Sequence, residues 1–344
     1  MRMILKKTGK ALPALKVRNI DMGRIVETDD DWIRSRTGIA ERRISASESA
    51  LYLACSAARQ ALEGTDPAEV GLVIVATATP DMVVPSMSSL VKKEMGLSKA
   101  IAFDVNAACS GFVYALWMAR SLTRDMDEAG FPGGAQKVLI IGVERLSRIL
   151  DWEDRSTCVL FGDGAGAGLF HVTGAEEELP AGVIGAVVRN YDDREEVLTC
   201  GMGYGLPPKE LLEWDNTPYS GHEFSEEKPR LLHMQGKQVF KFAVKAMGEV
   251  MDQVLGKCGM EVSDIDFFVP HQANVRILEA AAKRYNIPME KFQISLESTG
   301  NTSAASVPMA LHDALEAGKI KKGHRVMLLA FGGGLSAGAA IIEF

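Results

Sequence analysis

The same succession of strand, small-residue turn and apolar helix occurs twice along this chain, and no other feature restricts its fold as much. VGLVIVATATP (70–80) reads as a buried strand, with IDFFVPHQAN (265–274) as its later counterpart. AIAFDVNAACSGFVYALWMARSL (100–122) reads as strand, tight turn and apolar helix, matched by FQISLESTGNTSAASVPMALHDAL (292–315). KVLIIGVE (137–144) followed by TCVLFGDGAGAGLF (157–170) has its partner in RVMLLAFGGGLSAGAAIIEF (325–344). Strands alternating with helices in this way indicate an α/β fold. Two similar halves that join their sheets bring the ends of equivalent strands face to face across a pseudo-twofold. Cys109 and Asn301 are then expected at corresponding helix starts. Identity between the halves is low, so two unrelated α/β segments of similar grammar are the alternative.

A chain of 344 residues buries a substantial core and holds either two domains or one large duplicated one. No apolar run approaches the length needed to cross a bilayer, and MRMILKKTGKALPAL lacks the continuous apolar stretch of a signal peptide. The 5 cysteines show no close pair and no metal spacing, which fits free thiols in a reducing compartment. A net charge of −7 argues against nucleic acid as a partner. The expected address is the cytoplasm. Two stretches do not fit the repeat: the polar loop RDMDEAGFPGG (124–134), and residues 200–230, rich in Pro, Gly and charge. A loop of the latter length is a functional cover or a mobile insertion.

Three segments carry chemistry. Cys109, in NAACSG, is expected in the first turn of a buried helix. There free N–H groups and the helix dipole would lower its thiol pKa, and Ala107, Ala108, Ser110 and Gly111 would leave room for an acyl group. His271 follows the apolar run FFVP, where an imidazole at a strand's end can donate to a carbonyl that is becoming an enolate. Asn301 is the first bulky polar group in a run of Gly, Thr, Ser and Ala. It reads as a second fixed donor or as a helix N-cap. GDGAGAG (162–168) lacks the setting of a dinucleotide site, and its glycines read as close backbone packing beneath the active site.

Taken together these segments resemble the thiolase superfamily, and most closely the β-ketoacyl-[acyl-carrier-protein] synthase III family. The resemblance runs from about TGKALP (8–13) to the C-terminus, through DDDWIRSRTGIAERR, ACSG, LFGDGAGA, HQANVRI, GNTSAAS and AFGGGLSAG. It implies a five-layered α-β-α-β-α fold with pseudo-twofold halves, here 1–174 and 175–344, and a Cys109–His271–Asn301 triad. The implied reaction initiates fatty-acid synthesis. Cys109 takes the acyl group of an acyl-CoA, its oxyanion held by the N–H groups of Cys109 and Gly333. Malonyl-[acyl-carrier-protein] then decarboxylates under hydrogen bonds from His271 and Asn301, and its enolate attacks the acyl-cysteine. No metal or cofactor is required, since loss of CO2 supplies the carbanion.

The resemblance further implies that Trp32, Arg36 and Arg155 hold the CoA nucleotide and that Asn274 lies near the pantetheine arm. An acidic carrier protein needs basic ground. Lys237, Lys241 and Lys245 recur at helical spacing, and Arg276, Lys283 and Arg284 follow HQAN; Lys241, Arg276, Lys283 and Arg284 are the main candidates. TPDMVVPS (79–86) matches a segment that crosses a homodimer interface to close the partner's acyl pocket. Val84 stands there in place of the common aromatic, which implies a primer longer or more branched than acetyl. GGGLSAG likewise lacks the frequent aromatic after its third glycine. The competing functions are a thiolase-fold acyltransferase of secondary metabolism using another nucleophile, a non-catalytic acyl-binding subunit, and a cysteine hydrolase.

Overall fold

The structure, a computed structural model, describes residues 2–124, 131, 135–173, 182–201 and 231–344. The expected boundary at 174/175 and most of the loops at 124–134 and 200–230 lie outside the described residues. The first half runs β1 (Arg2–Ala11), a small excursion of β2 (Leu15–Arg18), α1 (Asn19–Met22), α2 (Asp30–Thr37) and β3 (Glu41–Ile44), then α3 (Ala50–Leu62), β4 (Val70–Ala76), α4 (Met87–Glu94), β5 (Ile101–Val105), α5 (Gly111–Arg124), β6 (Lys137–Arg145), α6 (Arg155–Cys158) and β7 (Asp163–Thr173). The second runs β8 (Gly182–Asn190), β9 (Leu198–Cys200), β10 (Leu232–Met234), α7 (Gly236–Cys258), β11 (Phe267–Pro270), α8 (Val275–Tyr285), α9 (Leu296–Thr299), α10 (Ser306–Glu316), β12 (Arg325–Gly332) and β13 (Ser336–Glu343).

Each half supplies one sheet. The first has the order β1-β7-β6-β4-β5 and the second β8-β13-β12-β11, so strand order repeats as the sequence repeat requires. β4–β6 and β4–β5 are parallel, β11–β12 is parallel, and the last two strands of each half are antiparallel. Among the described residues the second half shows no strand equivalent to β5: Phe292 makes one isolated parallel bridge to Phe268. Gln272 explains the difference. Its side-chain amide donates to Gln293 O (3.0 Å) and accepts from Ser295 N–H (2.7 Å), taking the backbone groups that a longer strand would use.

The sheets stack as the middle of five layers. α3 covers the outer face of β1, β6 and β7; α5 and α10 lie between the sheets; α7 covers the outer face of β8, β12 and β13 with α8 beside it. Because helices cover both faces, VGLVIVA of β4 is buried along its whole length. Three apolar clusters correspond to the outer contact of each sheet and to the middle layer between them. This is the duplicated thiolase-like architecture.

The glycine run 162–168 lies mostly in β7, as packing rather than a nucleotide loop. A Cβ on Gly166 would stand 2.6 Å from Met309 N, so α10 lies directly on that strand. Middle-layer helices can therefore approach the strand ends closely, which matters for the site.

Candidate active site

Cys109 lies in a single 3-10 turn, Ala108–Ser110, set immediately before α5 rather than within its first turn. Asn106 Oδ1 accepts from Ala108 N–H at 3.2 Å, and Ala108 takes a φ of 44°. The second half repeats this geometry. Asn301 Oδ1 accepts from Ser303 N–H at 2.9 Å, Ser303 takes a φ of 48°, and the turn Ser303–Ala305 leads into α10. Asn301 is thus the equivalent of Asn106, and Cys109 of Ala304, which corrects the expected correspondence by three residues. Non-glycine residues at positive φ are strained, and such strain concentrates where geometry must be fixed.

The small residues flanking Cys109 are taken up by packing rather than leaving the room expected around the sulfur. A Cβ on Gly111 would stand 2.9 Å from that of Ala76, and Ser110 and Ala107 are both bonded to Ser336. Space opens on the other side. Cys109, His271, Asn301, Phe161, Phe331 and Gly332 line one cavity of about 280 Å³, which extends past Asn274 to Trp32 and Arg36. The three chemistry-bearing residues named from sequence therefore share a single chamber. Gly332 is pressed against the nucleophile, since a Cβ there would be 2.7 Å from Cys109 N. Gly333, expected in the oxyanion hole, follows it and packs against Leu198.

The electrostatics set what each group can do. Burial pushes the Cys109 thiol up to about 12, against the lowering expected from a helix start; the Ser303 hydroxyl and the cysteine's own N–H only partly oppose this. Burial drives His271 down to about 3, so its imidazole is neutral. His271 Nδ1 is buried without a partner. An unpaired buried N–H is costlier than an unpaired acceptor, which favours the tautomer carrying its proton on Nε2. The ring is held edge-on to Phe331 at 5.1 Å, and His271 N–H donates to Leu329 O at 2.7 Å. At Asn301, Ser303 N–H occupies Oδ1, which leaves the Nδ2 amide as the free donor. The capping and donor readings of Asn301 are thus both satisfied, each by a different atom.

Sequence reasoning missed Glu144, Ser303 and Gln272. Glu144, next to last in β6, is fully buried, and its carboxylate accepts from Thr79 Oγ1 (2.5 Å), Ala78 N–H (3.2 Å) and Ser303 Oγ (3.1 Å). Burial raises it to about 7. The available signal was an acid closing the otherwise apolar run VLIIGVE. Gln272 locks the turn after His271 through its bonds to Pro270, Gln293 and Ser295.

At the outer end of the cavity, Asp29 caps α2 by accepting from Trp32 N–H. The guanidiniums of Arg36 and Arg155 stand 4.5 and 4.6 Å from the centre of the Trp32 ring. Asn274 caps α8 and donates to Arg36 O at 3.0 Å, tying two sequence-distant elements together at the mouth. Lys237, Lys241 and Lys245 are exposed on α7, whose Gly236, Val239 and Phe240 line the cavity. On α8, Arg276 donates to Ser35 O, and Arg284 lies over Tyr285 and against Gly248, while Lys283 is exposed. Val84 is 83% exposed and outside the cavity of this protomer.

A cysteine, a neutral imidazole and a carboxamide around one chamber where two thiolase-like halves meet define an acyl-transferring condensing enzyme. Residues 103–190 match the family described as 3-oxoacyl-[acyl-carrier-protein] synthase III, and residues 255–344 match its C-terminal domain. The chain is 42% identical over 339 residues to the β-ketoacyl-[acyl-carrier-protein] synthase III of Aquifex aeolicus, covering 98% of both chains. The crystal structure of the Aquifex aeolicus synthase III is similar with a TM-score of 0.85 over 99% of this chain and 100% of that one, at 40% identity. That of the Thermus thermophilus synthase III gives 0.85 over 99% and 98%, at 38%. The chain belongs to the 3-oxoacyl-[acyl-carrier-protein] synthase III family.

Proposed function

We propose that this protein joins an acyl-CoA primer to malonyl-[acyl-carrier-protein] by decarboxylating Claisen condensation, giving 3-oxoacyl-[acyl-carrier-protein] and starting a fatty-acid chain. The observation that carries this reading is the shared cavity of Cys109, His271 and Asn301, open toward Trp32 and Arg36. Cys109 attacks the primer thioester; its own N–H and that of Gly333 receive the oxyanion, and CoA leaves. The malonyl carbonyl then accepts from His271 Nε2–H and Asn301 Nδ2–H. A neutral imidazole suits this role, because it donates without surrendering its proton. Decarboxylation under those two donors gives the enolate, whose carbon attacks the acyl-cysteine. No step calls for a metal or a bound cofactor.

For the substrates' handles, Trp32 with Arg36 and Arg155 offers an aromatic face and two cations to a nucleotide. Asn274 meets the pantetheine arm, and Lys241, Arg276, Lys283 and Arg284 receive the acidic carrier protein around the mouth. Homodimerisation would give Val84 its task in the partner's acyl pocket. Exposed Met82, Val83 and Val84, and the exposed Ile101 on the edge strand β5, support that assembly. No described helix is long and apolar enough to cross a membrane; separately, we propose a cytoplasmic address, on the free cysteines expected of a reducing compartment.

The test is a mass measurement after mixing the protein with acyl-CoA, followed by malonyl-carrier protein. Acylation at Cys109 that is discharged with CO2 release is expected. Acylation without discharge would indicate transfer to another nucleophile, and no acylation a non-catalytic subunit.

A further inference from the structure

A carboxamide carries an oxygen and a nitrogen of similar size and opposite hydrogen-bonding sense. Whether Asn301 offers the malonyl carbonyl a donor or a repelling lone pair therefore depends on what holds the group. Among the described residues its side chain makes one hydrogen bond, in which Oδ1 accepts from Ser303 N–H at 2.9 Å. That N–H is aimed at Oδ1 while Ser303 keeps its φ of 48°, a conformation that a residue with a side chain holds only where its surroundings enforce it. The support comes from the other half of the chain. Ser303 Oγ donates to Glu144 Oε1 at 3.1 Å. Glu144 is itself pinned, fully buried and accepting from Thr79 Oγ1 at 2.5 Å and Ala78 N–H at 3.2 Å. Thr79 Oγ1 in turn accepts from Arg145 N–H at 2.8 Å, which closes this anchor onto β6.

We propose that Ser303 and Glu144 are positioning residues that hold the Asn301 carboxamide with its nitrogen toward the malonyl carbonyl, Glu144 acting through Ser303 and Ser303 through its N–H. The inference rests on Asn301 being a donor to that carbonyl, as the condensing reaction requires. The main chain of Asn301 needs no such help: its N–H donates to Leu160 O and its carbonyl accepts from Gly162 N–H, both at 2.9 Å. What the Glu144–Ser303 bond governs is the side chain.

The first half supplies the comparison. Asn106 and Ala108 occupy the corresponding places, with Asn106 Oδ1 accepting from Ala108 N–H at 3.2 Å and a φ of 44° at Ala108. The turn thus forms with alanine where the second half has serine, so the hydroxyl is not needed to build it. Asn106 is exposed and does not line the chamber, and the facing of its amide has no bearing on substrate. The hydroxyl and its buried acceptor occur at the seat whose asparagine faces the reacting thioester. Nor does β6 call for an acid on its own account, since residues 138–143 before Glu144 are buried and apolar or glycine. An acid in that setting is costly unless it is hydrogen-bonded, and one of its three partners is Ser303.

The test is a double-mutant cycle on malonyl decarboxylation. Cys109 is first acylated to completion, as judged by mass; malonyl-carrier protein is then added and CO2 release is timed, so the rate of acylation does not enter. S303A and E144A should each lower the maximal rate about 10- to 100-fold, with the KM for malonyl-carrier protein unchanged. N301A should cost more, about 100- to 1000-fold, because a misdirected amide still visits the productive orientation. Adding S303A to N301A should cost nothing further, whereas adding it to H271A should cost its full factor. S303A deletes the same hydrogen bond as E144A from its other end, so it decides the matter even where E144A fails to fold. Decarboxylation by S303A at the original rate would overturn the proposal. So would an S303A loss that persists undiminished in N301A, which is what a merely structural role or a loosened cysteine turn would give. A second readout needs no turnover. In protein labelled at asparagine nitrogen, the side-chain amide signals of Asn301, assigned by their loss in N301A, should form one sharp pair in the nuclear magnetic resonance spectrum. S303A should broaden or split that pair and leave those of Asn106 in place, and an unchanged pair would overturn the proposal. Absence of CO2 release from the unsubstituted protein would instead refute the condensing function, with the amide signals still deciding what holds Asn301.

Discussion

Replacing Gly332 with alanine should disable acylation without unfolding the protein. Gly332 ends β12 in backbone that any residue can adopt, so only space forbids a side chain there. The added Cβ would lie 2.7 Å from Cys109 N, 3.0 Å from its Cβ and 3.2 Å from its Cα. To restore ordinary contact the cysteine turn must retreat by about 0.7 Å. It cannot do so freely, because Ser110 is bonded to Ser336, and the turn Ser303–Ala305 presses from the other side. Overpacking of this kind costs about 1–3 kcal/mol, within the reserve of a folded domain of about 5–15 kcal/mol. A misplacement near 1 Å at reacting atoms costs about 100-fold in rate, so acylation in G332A should fall by tens to about 100-fold. Time-resolved mass measurement of the acyl-Cys109 adduct gives the rate, and urea unfolding gives the stability. A folded G332A that acylates at the original rate would refute the close approach on which the site geometry depends.

H271A and N301A should each slow malonyl decarboxylation by about 100- to 1000-fold while leaving formation of the acyl-Cys109 adduct intact, as separate CO2-release and mass assays would show. Because the folded His271 pKa lies well below its free value, the proton it resists destabilises the fold in acid. This contribution is complete above the free value of about 6.5, is lost as pH falls toward about 3, and should be missing from the acid-unfolding profile of H271Q. Arg42 is fully buried and donates to Val17 O, Asn19 Oδ1 and Val159 O. R42M should therefore lose about 3 kcal/mol or more from orphaned acceptors, lowering the urea midpoint with little effect on the KM for acyl-CoA. V84F should shift primer preference toward acetyl-CoA in relative rates against isobutyryl- and octanoyl-CoA, and an unchanged preference would remove Val84 from the acyl pocket.

The strands were readable because helices cover both faces, so that β4 and β6 appear as unbroken apolar runs. The β7 glycines were readable because their strand lacks the turn and helix of a nucleotide loop. Phe292 was misread: FQIS looks like a strand, but a distant glutamine side chain takes its backbone partners, and no local pattern reports that. The three reactive residues stood out because each is a polar group placed among small residues after an apolar run. Their protonation was not legible. A cysteine before a helix suggests a lowered pKa, but the depth of burial decides the sign, and burial is a property of both halves together. Glu144 was hidden for a similar reason. At the end of a strand an acid ordinarily meets water; here the opposite half covers it with Ser303. Pairing the reactive residues sets Cys109 against Asn301, whereas the backbone equivalence follows Asn106 and Asn301.

The paired turns have an architectural consequence. The chain holds two seats of one shape, each an asparagine with a left-handed residue two positions on that opens a short helical turn. One seat came to present sulfur and the other amide nitrogen to the same chamber. Because the two turns press on each other, the side chains of the second seat set both the chemistry offered to a bound thioester and the room left to the first. The attacking atom and its helper thus sit on two mounts of one backbone geometry whose adjustment is shared.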